Sequence, residues 1–187
     1  ELTGASWKRL WRGSELYEEF DKKIPLLYTG DAGKFFNEDI RNLEKIKPLF
    51  KGVDYVFHFA AFPRVQPSIE DPITSNDINL NGTLNVLVAA RDAQVKKFVY
   101  SASSSAYGNQ EKMPLREDMP ALPISPYGLQ KYIGELYCRL FSYVYKLPTV
   151  SLRYFNVYGK RQATEGAYCL VMGIFARQRL NGEPMTI

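Results

Sequence analysis

The sequence predicts an α/β fold, a parallel sheet with helices on both faces, and three observations carry that prediction. Short apolar runs at 53–59, 97–102 and 149–154 have the length and the Val, Phe and Tyr content of buried strands. Between successive runs lie segments whose apolar residues recur three and four apart, the period of an amphipathic helix. Strands that alternate with long helices need crossover connections, which run the strands parallel and cover the sheet with helices. A chain of 187 residues, 45% apolar and 24% charged, is long and apolar enough to bury such a core.

The elements follow in order. After the strand at 53–59, a helix is expected over 72–93: Asp71 is an N-cap residue, and Pro72 takes the first helical position, where its missing N–H costs nothing. Ile73, Leu80, Leu84, Leu87 and Val88 form its apolar stripe. The strand at 97–102 leads to a second helix that opens at Ser125-Pro126 and stops near Leu147-Pro148. Ile133, Leu136, Tyr137, Leu140, Phe141 and Val144 are spaced three and four apart on one face of it. The strand at 149–154 is followed by a third helix over 168–180, ended by Asn181-Gly182, and residues 184–187 read as the start of a further strand.

Composition excludes several classes of function. Cys138 and Cys169 are the two cysteines and form no Cys-x-x-Cys pair, and His58 is the single histidine. A zinc cluster and a serine-hydrolase triad are therefore hard to build, and no metal is expected. The net charge of +4 is spread along the chain, with Lys8-Arg9 and Arg12 the longest basic cluster, which disfavours nucleic acid as a partner. No stretch approaches twenty uninterrupted apolar residues and Glu1 to Arg12 lack the apolar block of a signal peptide, so no membrane contact and a cytoplasmic location are expected.

In open parallel sheets ligands gather at the carboxyl ends of the strands, here just after His58, Ser101 and Tyr154. Ser103-Ser104-Ser105 follow the middle strand, and Tyr127 and Lys131 stand in Tyr-x-x-x-Lys spacing at the start of the second helix. That spacing is about one turn, about 6 Å, and places phenol and ammonium on one face. A free tyrosine has a pKa of about 10, and acting as a base at neutral pH requires a fall of about three units, about 4 kcal/mol. One cation at about 6 Å supplies about 2.8 kcal/mol at an effective dielectric of about 20. Lysine alone falls short, and a second cation with the positive end of the helix dipole would supply the rest. A serine hydroxyl at the strand end is placed to hold the oxygen whose proton the tyrosine takes.

The company these residues keep is specific. Asp39-Ile40-Arg41-Asn42, Val53-Asp54-Tyr55-Val56-Phe57-His58-Phe59-Ala60-Ala61, Asn79 with Gly82-Thr83, and Ser103-Ser104-Ser105-Ala106-Tyr107-Gly108 form the first part of a pattern. Ser125-Pro126-Tyr127, Lys131, Glu135 and Leu152-Arg153-Tyr154-Phe155-Asn156-Val157-Tyr158-Gly159 complete it. On these residues the chain resembles the extended short-chain dehydrogenase/reductase family, and within it nucleotide-sugar 4-epimerases of the UDP-glucose and UDP-N-acetylglucosamine type. Lys160-Arg161-Gln162 and Gly166-Ala167-Tyr168 look most like epimerases acting on UDP-N-acetylhexosamines.

The resemblance implies a Rossmann-like domain binding NAD over 39–187, preceded by an atypical or truncated segment at 1–38, with the C-terminal substrate lobe largely absent. Asp39 and Ile40 would lie beside the adenine, Ala60 and Ala61 would line the dinucleotide groove, and Asn79 would support the cofactor side. Lys131 would bind the nicotinamide ribose and Tyr154 would approach the nicotinamide. Tyr127 would be the base and Ser103 its hydroxyl partner, with Ser104 beside the substrate and Asn156 at its phosphate. The family's 4,6-dehydratases carry Asp-Glu where this chain has Ser104 and Ser105, which disfavours dehydration. Expected partners are a UDP-sugar and a second copy, paired through the helices carrying Asn79 and Lys131.

Two features depart from the family. Leu2-Thr3-Gly4-Ala5-Ser6 looks like the start of its Gly-x-x-Gly-x-x-Gly turn, but Trp7 and Leu10 occupy the next two glycine places, and Gly30-Asp31-Ala32-Gly33 does not replace them by spacing. An incomplete first βαβ unit and weak NAD binding by this chain alone are expected. The alternative is a catalytically silent relative acting as a binding module.

Overall fold

Asn42 opens the first helix of the computed structural model, which describes residues 36–159, 162–164 and 169–185. Its side chain accepts from Lys45 N–H at 3.2 Å, and helix α1 (Leu43–Ile46) runs into a 3₁₀ turn over Lys47–Phe50. Strand β1 (Tyr55–His58) follows, then the short helix α2 (Val65–Glu70). Asp71 caps α3 (Pro72–Asn76) by accepting from Thr74 N–H at 3.0 Å, as its place before proline predicts. A π turn over Asp77–Asn81 joins α3 to α4 (Gly82–Asp92). Strand β2 (Lys97–Ser103) ends in a 3₁₀ turn over Ser104–Ala106, and the long helix α5 (Pro126–Tyr145) leads to β3 (Thr149–Tyr154). The chain divides into two units between Arg153 and Tyr154, the second holding α6 (Val171–Leu180).

The sheet has the order β1-β2-β3, and β1 runs parallel to β2 in the register Val56 to Phe98 and His58 to Tyr100. Alternation along the strands sends Val56, His58, Phe98, Tyr100 and Ala102 inward against Val86, Leu87 and Ala90 of α4 and Cys138 and Phe141 of α5. On the other face Tyr55, Phe57 and Phe59 are 59%, 61% and 60% exposed. Within the first unit α4 and α5 pack on the inward face, and the other face presents an aromatic row of the kind that a two-sided parallel sheet buries. No described helix is long and apolar enough to cross a membrane.

The expected helix over 72–93 forms as α3, the π turn and α4, because the middle turn is widened by i to i+5 bonding where Ile78 and Asn79 are buried. The third helix starts at Val171: Leu170, at φ −93° and ψ 160°, is extended and closes off an earlier start. Of the strand expected over 184–187, Pro184 and Met185 lie in no strand, proline having no N–H to donate to a ladder, and residues 186–187 lie outside the described residues. The expectations for Gly4, Trp7, Leu10 and 30–33, and for residues 160–161 and 166–168, lie outside the described residues.

His58 is 4% exposed and sits between the rings of Phe98 and Tyr100. Thr83 donates its hydroxyl hydrogen to Asn79 O at 2.6 Å, so at 2.9 Å His58 Nε2 is the donor to Thr83 Oγ1, which fixes the tautomer. Burial, and then the positive charge of Lys131, push the imidazole down to about 3. Below its ordinary value of 6.5 the unfolded state takes up a proton that the fold refuses, so stability falls as pH falls. Between pH 7 and pH 5 the protein is expected to lose about 2 kcal/mol more than a His58→Gln variant in urea unfolding. Parallel losses in the two proteins would refute a buried neutral imidazole.

Candidate active site

The site is built where β2 ends and α5 begins. Ser125 caps α5, its hydroxyl accepting from Gly128 N–H at 3.1 Å, and Pro126 occupies the first turn, so Tyr127 stands at the positive end of a 20-residue helix. The free Tyr127 N–H donates to Ser68 Oγ at 3.1 Å, and Ser68, fully buried, donates to Val65 O at 2.6 Å. Gly128 permits close approach on the other side, since a Cβ there would stand 2.6 Å from Ser105 O.

Ser103 closes β2 and caps the 3₁₀ turn after it, its Oγ accepting from Ser105 N–H at 3.1 Å. This bond fixes the hydroxyl against the Tyr127 phenol. Burial raises the phenol above its ordinary value, and the Ser103 hydroxyl opposes that shift without cancelling it. Phenol ionisation in this site therefore needs positive charge. Lys131, 3% exposed, has Nζ 6.0 Å from the Tyr127 ring centroid, the separation expected for the Tyr-x-x-x-Lys spacing. Its ammonium donates to Ser101 O at 2.8 Å and lies 5.1 Å from the Tyr100 ring centroid. Burial pushes Lys131 down to about 8, so at neutral pH it is still mainly a cation.

The remaining predicted residues fall into three places. Ala60 and Ala61 are half-buried in the loop after β1. Asn79 holds that loop: its Oδ1 accepts from Phe62 N–H at 2.7 Å and its Nδ2 donates to Phe62 O at 3.0 Å and to Gln130 Oε1 at 2.8 Å. Asp39 and Ile40 lie in a turn just before α1, closed by the bond from Asn42 N–H to Asp39 O at 2.9 Å. The Arg41 guanidinium grips the Asp39 carboxylate at 2.6 Å and holds it below the usual carboxylate range. Asn85 Nδ2 pins the same turn through Ile40 O at 3.0 Å and Arg41 O at 2.9 Å, and Ile40 packs on Gly82, where a Cβ would stand 2.6 Å from Ile40 Cδ1. Ser104 lies in the 3₁₀ turn beside Ser103. Tyr154 and Asn156 belong to the second unit.

The structure thus assembles Ser103, Tyr127 and Lys131 around one strand end. Sequence reasoning missed Ser68, Asn85, Ser75 and Gln130, which hold the elements in place. Their partners lie 44 or more residues away in the chain, apart from the bond of Ser75 to Asn79 and that of Ser68 to Val65, so no local spacing announced them.

Lys131 has a measurable signature. Unfolded, it keeps its proton to its ordinary value of 10.5; folded, it loses it near 8. The unfolded state therefore binds more protons between those values, and stability rises with pH across that window. Against a Lys131→Met variant, the wild-type protein is expected to gain about 2 kcal/mol between pH 7 and pH 9.5. Urea unfolding at the two pH values checks this, and a constant difference would contradict the buried cation.

A model of the family described as "NAD dependent epimerase/dehydratase family" matches residues 6–187. The UDP-glucose 4-epimerase of Lactobacillus helveticus is 36% identical over 155 residues, 78% of this chain and 47% of that protein. The solved UDP-N-acetylglucosamine 4-epimerase from Methanobrevibacter ruminantium M1, in complex with UDP-N-acetylmuramic acid, superposes with a TM-score of 0.73 at 39% identity, covering 79% of this chain and 47% of that one. The Thermus thermophilus UDP-glucose 4-epimerase in complex with NAD gives 0.72 at 37% identity, covering 83% and 51%. The chain spans about half the length of the curated relatives it matches. A match over residues 6–187, with serine, tyrosine and lysine gathered at one strand end, leaves one conclusion: the chain belongs to the NAD dependent epimerase/dehydratase family.

Proposed function

We propose that this chain carries the NAD-binding and catalytic part of a nucleotide-sugar 4-epimerase acting on a UDP-hexose, a class that includes the UDP-N-acetylhexosamines. The observation that carries the reading is Tyr127 beside the buried Lys131 ammonium, with the Ser103 hydroxyl against its phenol. The family match and the 4-epimerase relatives support it.

The residues present fit NAD. Lys131 has three N–H bonds, and among the described residues the acceptor it meets is Ser101 O, which leaves donors for the hydroxyls of a ribose. Asp39 and Ile40 would hold the adenine, Ala60 and Ala61 would wall the groove, Asn79 supports that wall, and Tyr154 would complete the nicotinamide side. When bound, NAD supplies the acceptor and donor of hydride for sugar carbon 4. Ser103 would orient the sugar's 4-oxygen, Ser104 would lie beside the substrate, and Asn156 would take the diphosphate.

Tyr127 removes the proton of the 4-hydroxyl while carbon 4 gives up hydride, so the C–H and O–H bonds break and a 4-keto sugar results. The keto sugar turns over, regains hydride on its other face, and takes its proton back from Tyr127. Lys131 stabilises the phenolate by Coulomb attraction. Ser103 steadies the oxygen in both directions.

In the full-length protein, Tyr127→Phe is expected to cut interconversion of the 4-epimers at least about 100-fold while cofactor stays bound. Coupled-enzyme assay and calorimetry read the two effects. Undiminished turnover would reject Tyr127 as the base.

A further inference from the structure

Three buried polar side chains that the mechanism leaves unused, or uses only as support, form one connected cluster: Ser75, Asn79 and Gln130, at 0%, 1% and 3% exposure. Gln130 Oε1 accepts from Ser75 Oγ at 2.7 Å and from Asn79 Nδ2 at 2.8 Å. The directions follow from chemistry. Asn79 Oδ1 is already committed to Phe62 N–H, so its NH₂ group must face Phe62 O and Gln130, and Gln130 must answer with its carbonyl oxygen. Gln130 directly precedes Lys131 and stands three residues after Tyr127, on the first turns of α5. One amide therefore joins the turn that carries the base and the cation to the π turn, and through it to the backbone of the loop holding Ala60 and Ala61.

We propose that Gln130 is a positioning residue: through Asn79 it sets the loop 60–62 at a fixed distance from Tyr127 and Lys131. The role of that loop as a cofactor wall rests on the functional reading above, whereas the mechanical link rests on the hydrogen bonds alone. Without the Gln130 acceptor, the Ser75 hydroxyl loses its acceptor and the Asn79 amide is left, on that side, with its long 3.4 Å contact to Ser75 Oγ, a poor exchange in a buried site where an under-satisfied polar group is costly. The Asn79 amide keeps its two bonds to Phe62 but loses the 2.8 Å brace that orients it, and its double clamp on Phe62 loosens. Glutamate at this position keeps the accepting oxygen, while methionine removes it at similar volume.

Amide hydrogen exchange by NMR tests the link without cofactor. In Gln130→Met the Phe62 amide is expected to exchange about tenfold faster, the change that loss of one hydrogen bond worth about 1.4 kcal/mol produces, while the Tyr127 amide, held by Ser68, is unaffected. Gln130→Glu is expected to keep Phe62 protected to within about twofold. In the full-length protein, the NAD dissociation constant is expected to rise about tenfold in Gln130→Met, with kcat at saturating NAD changed less than about twofold, and to be restored in Gln130→Glu. Should Gln130→Met fail to fold, Gln130→Asn, one methylene shorter, gives the same readout. Unchanged exchange at Phe62 would overturn the link, and faster exchange with unaltered NAD affinity would overturn the positioning role. A wild-type protein that binds no NAD would instead overturn the functional reading, and exchange at Phe62 would decide the link by itself.

Discussion

A lysine ammonium that is 3% exposed must find a carbonyl, an aromatic face or an anion, because the fold has removed it from water. Lys131 meets the first two, through Ser101 O and the Tyr100 ring. Much of the surrounding structure is arranged by that need. Helix α5 has to cross β2 with Lys131 over the strand, and Gly134 one turn on allows the approach, since a Cβ there would run into the Tyr100 ring and hydroxyl. The same positive charge helps keep His58 neutral and lies 6.0 Å from the centroid of the Tyr127 ring. Burial raises the phenol and lowers the ammonium, so each group resists its charged form.

Holding such a pair requires a rigid frame, and the frame here is made of buried polar contacts as much as of apolar ones. The apolar part is conventional: Phe98, Leu87, Ala90, Cys138 and Phe141 pack between β2, α4 and α5. The polar part is a chain of amides and hydroxyls running from His58 through Thr83 to Asn79 and on to Gln130. Buried hydrogen bonds of this kind specify one arrangement, because any slip leaves a donor stranded. Arg153 and Glu135 add a further constraint, a two-point ion pair at 2.8 and 2.9 Å that ties β3 to the middle of α5 with the Arg153 guanidinium over the Tyr107 ring. Ser103, Tyr127 and Lys131 thus sit toward the ends of elements whose bodies are locked together.

Much of this was legible from residue order. Caps at Asp71 and Ser125 announced two helices because a cap acts within three residues of itself. The Tyr127 to Lys131 spacing carried a distance because a helical turn has a fixed pitch. The family pattern then attached roles to Ser103, Asp39 and Asn79. What residue order hid were contacts between distant segments: Ser68 to Tyr127 across 59 residues, Ser75 to Gln130 across 55, Asn85 to Ile40 across 45. A serine or glutamine inside a helix looks the same whether it faces water or a buried amide.

The widened turn at Asp77–Asn81 and the later start of α6 belong to the same category. Periodicity predicts a helical path but not how it accommodates the side chains packed against it, such as Ile40 on Gly82. The sequence by itself determined the alternation of strand and helix, the helix starts, and the identity and spacing of Ser103, Tyr127 and Lys131, since each depends on interactions within a few residues. Only the tertiary structure decided that Lys131 is buried, that Asn79 grips the loop after β1, and that Gln130 joins that grip to the turn holding Tyr127 and Lys131. Those outcomes come from burial and from hydrogen bonds closed over dozens of residues, which no local pattern encodes.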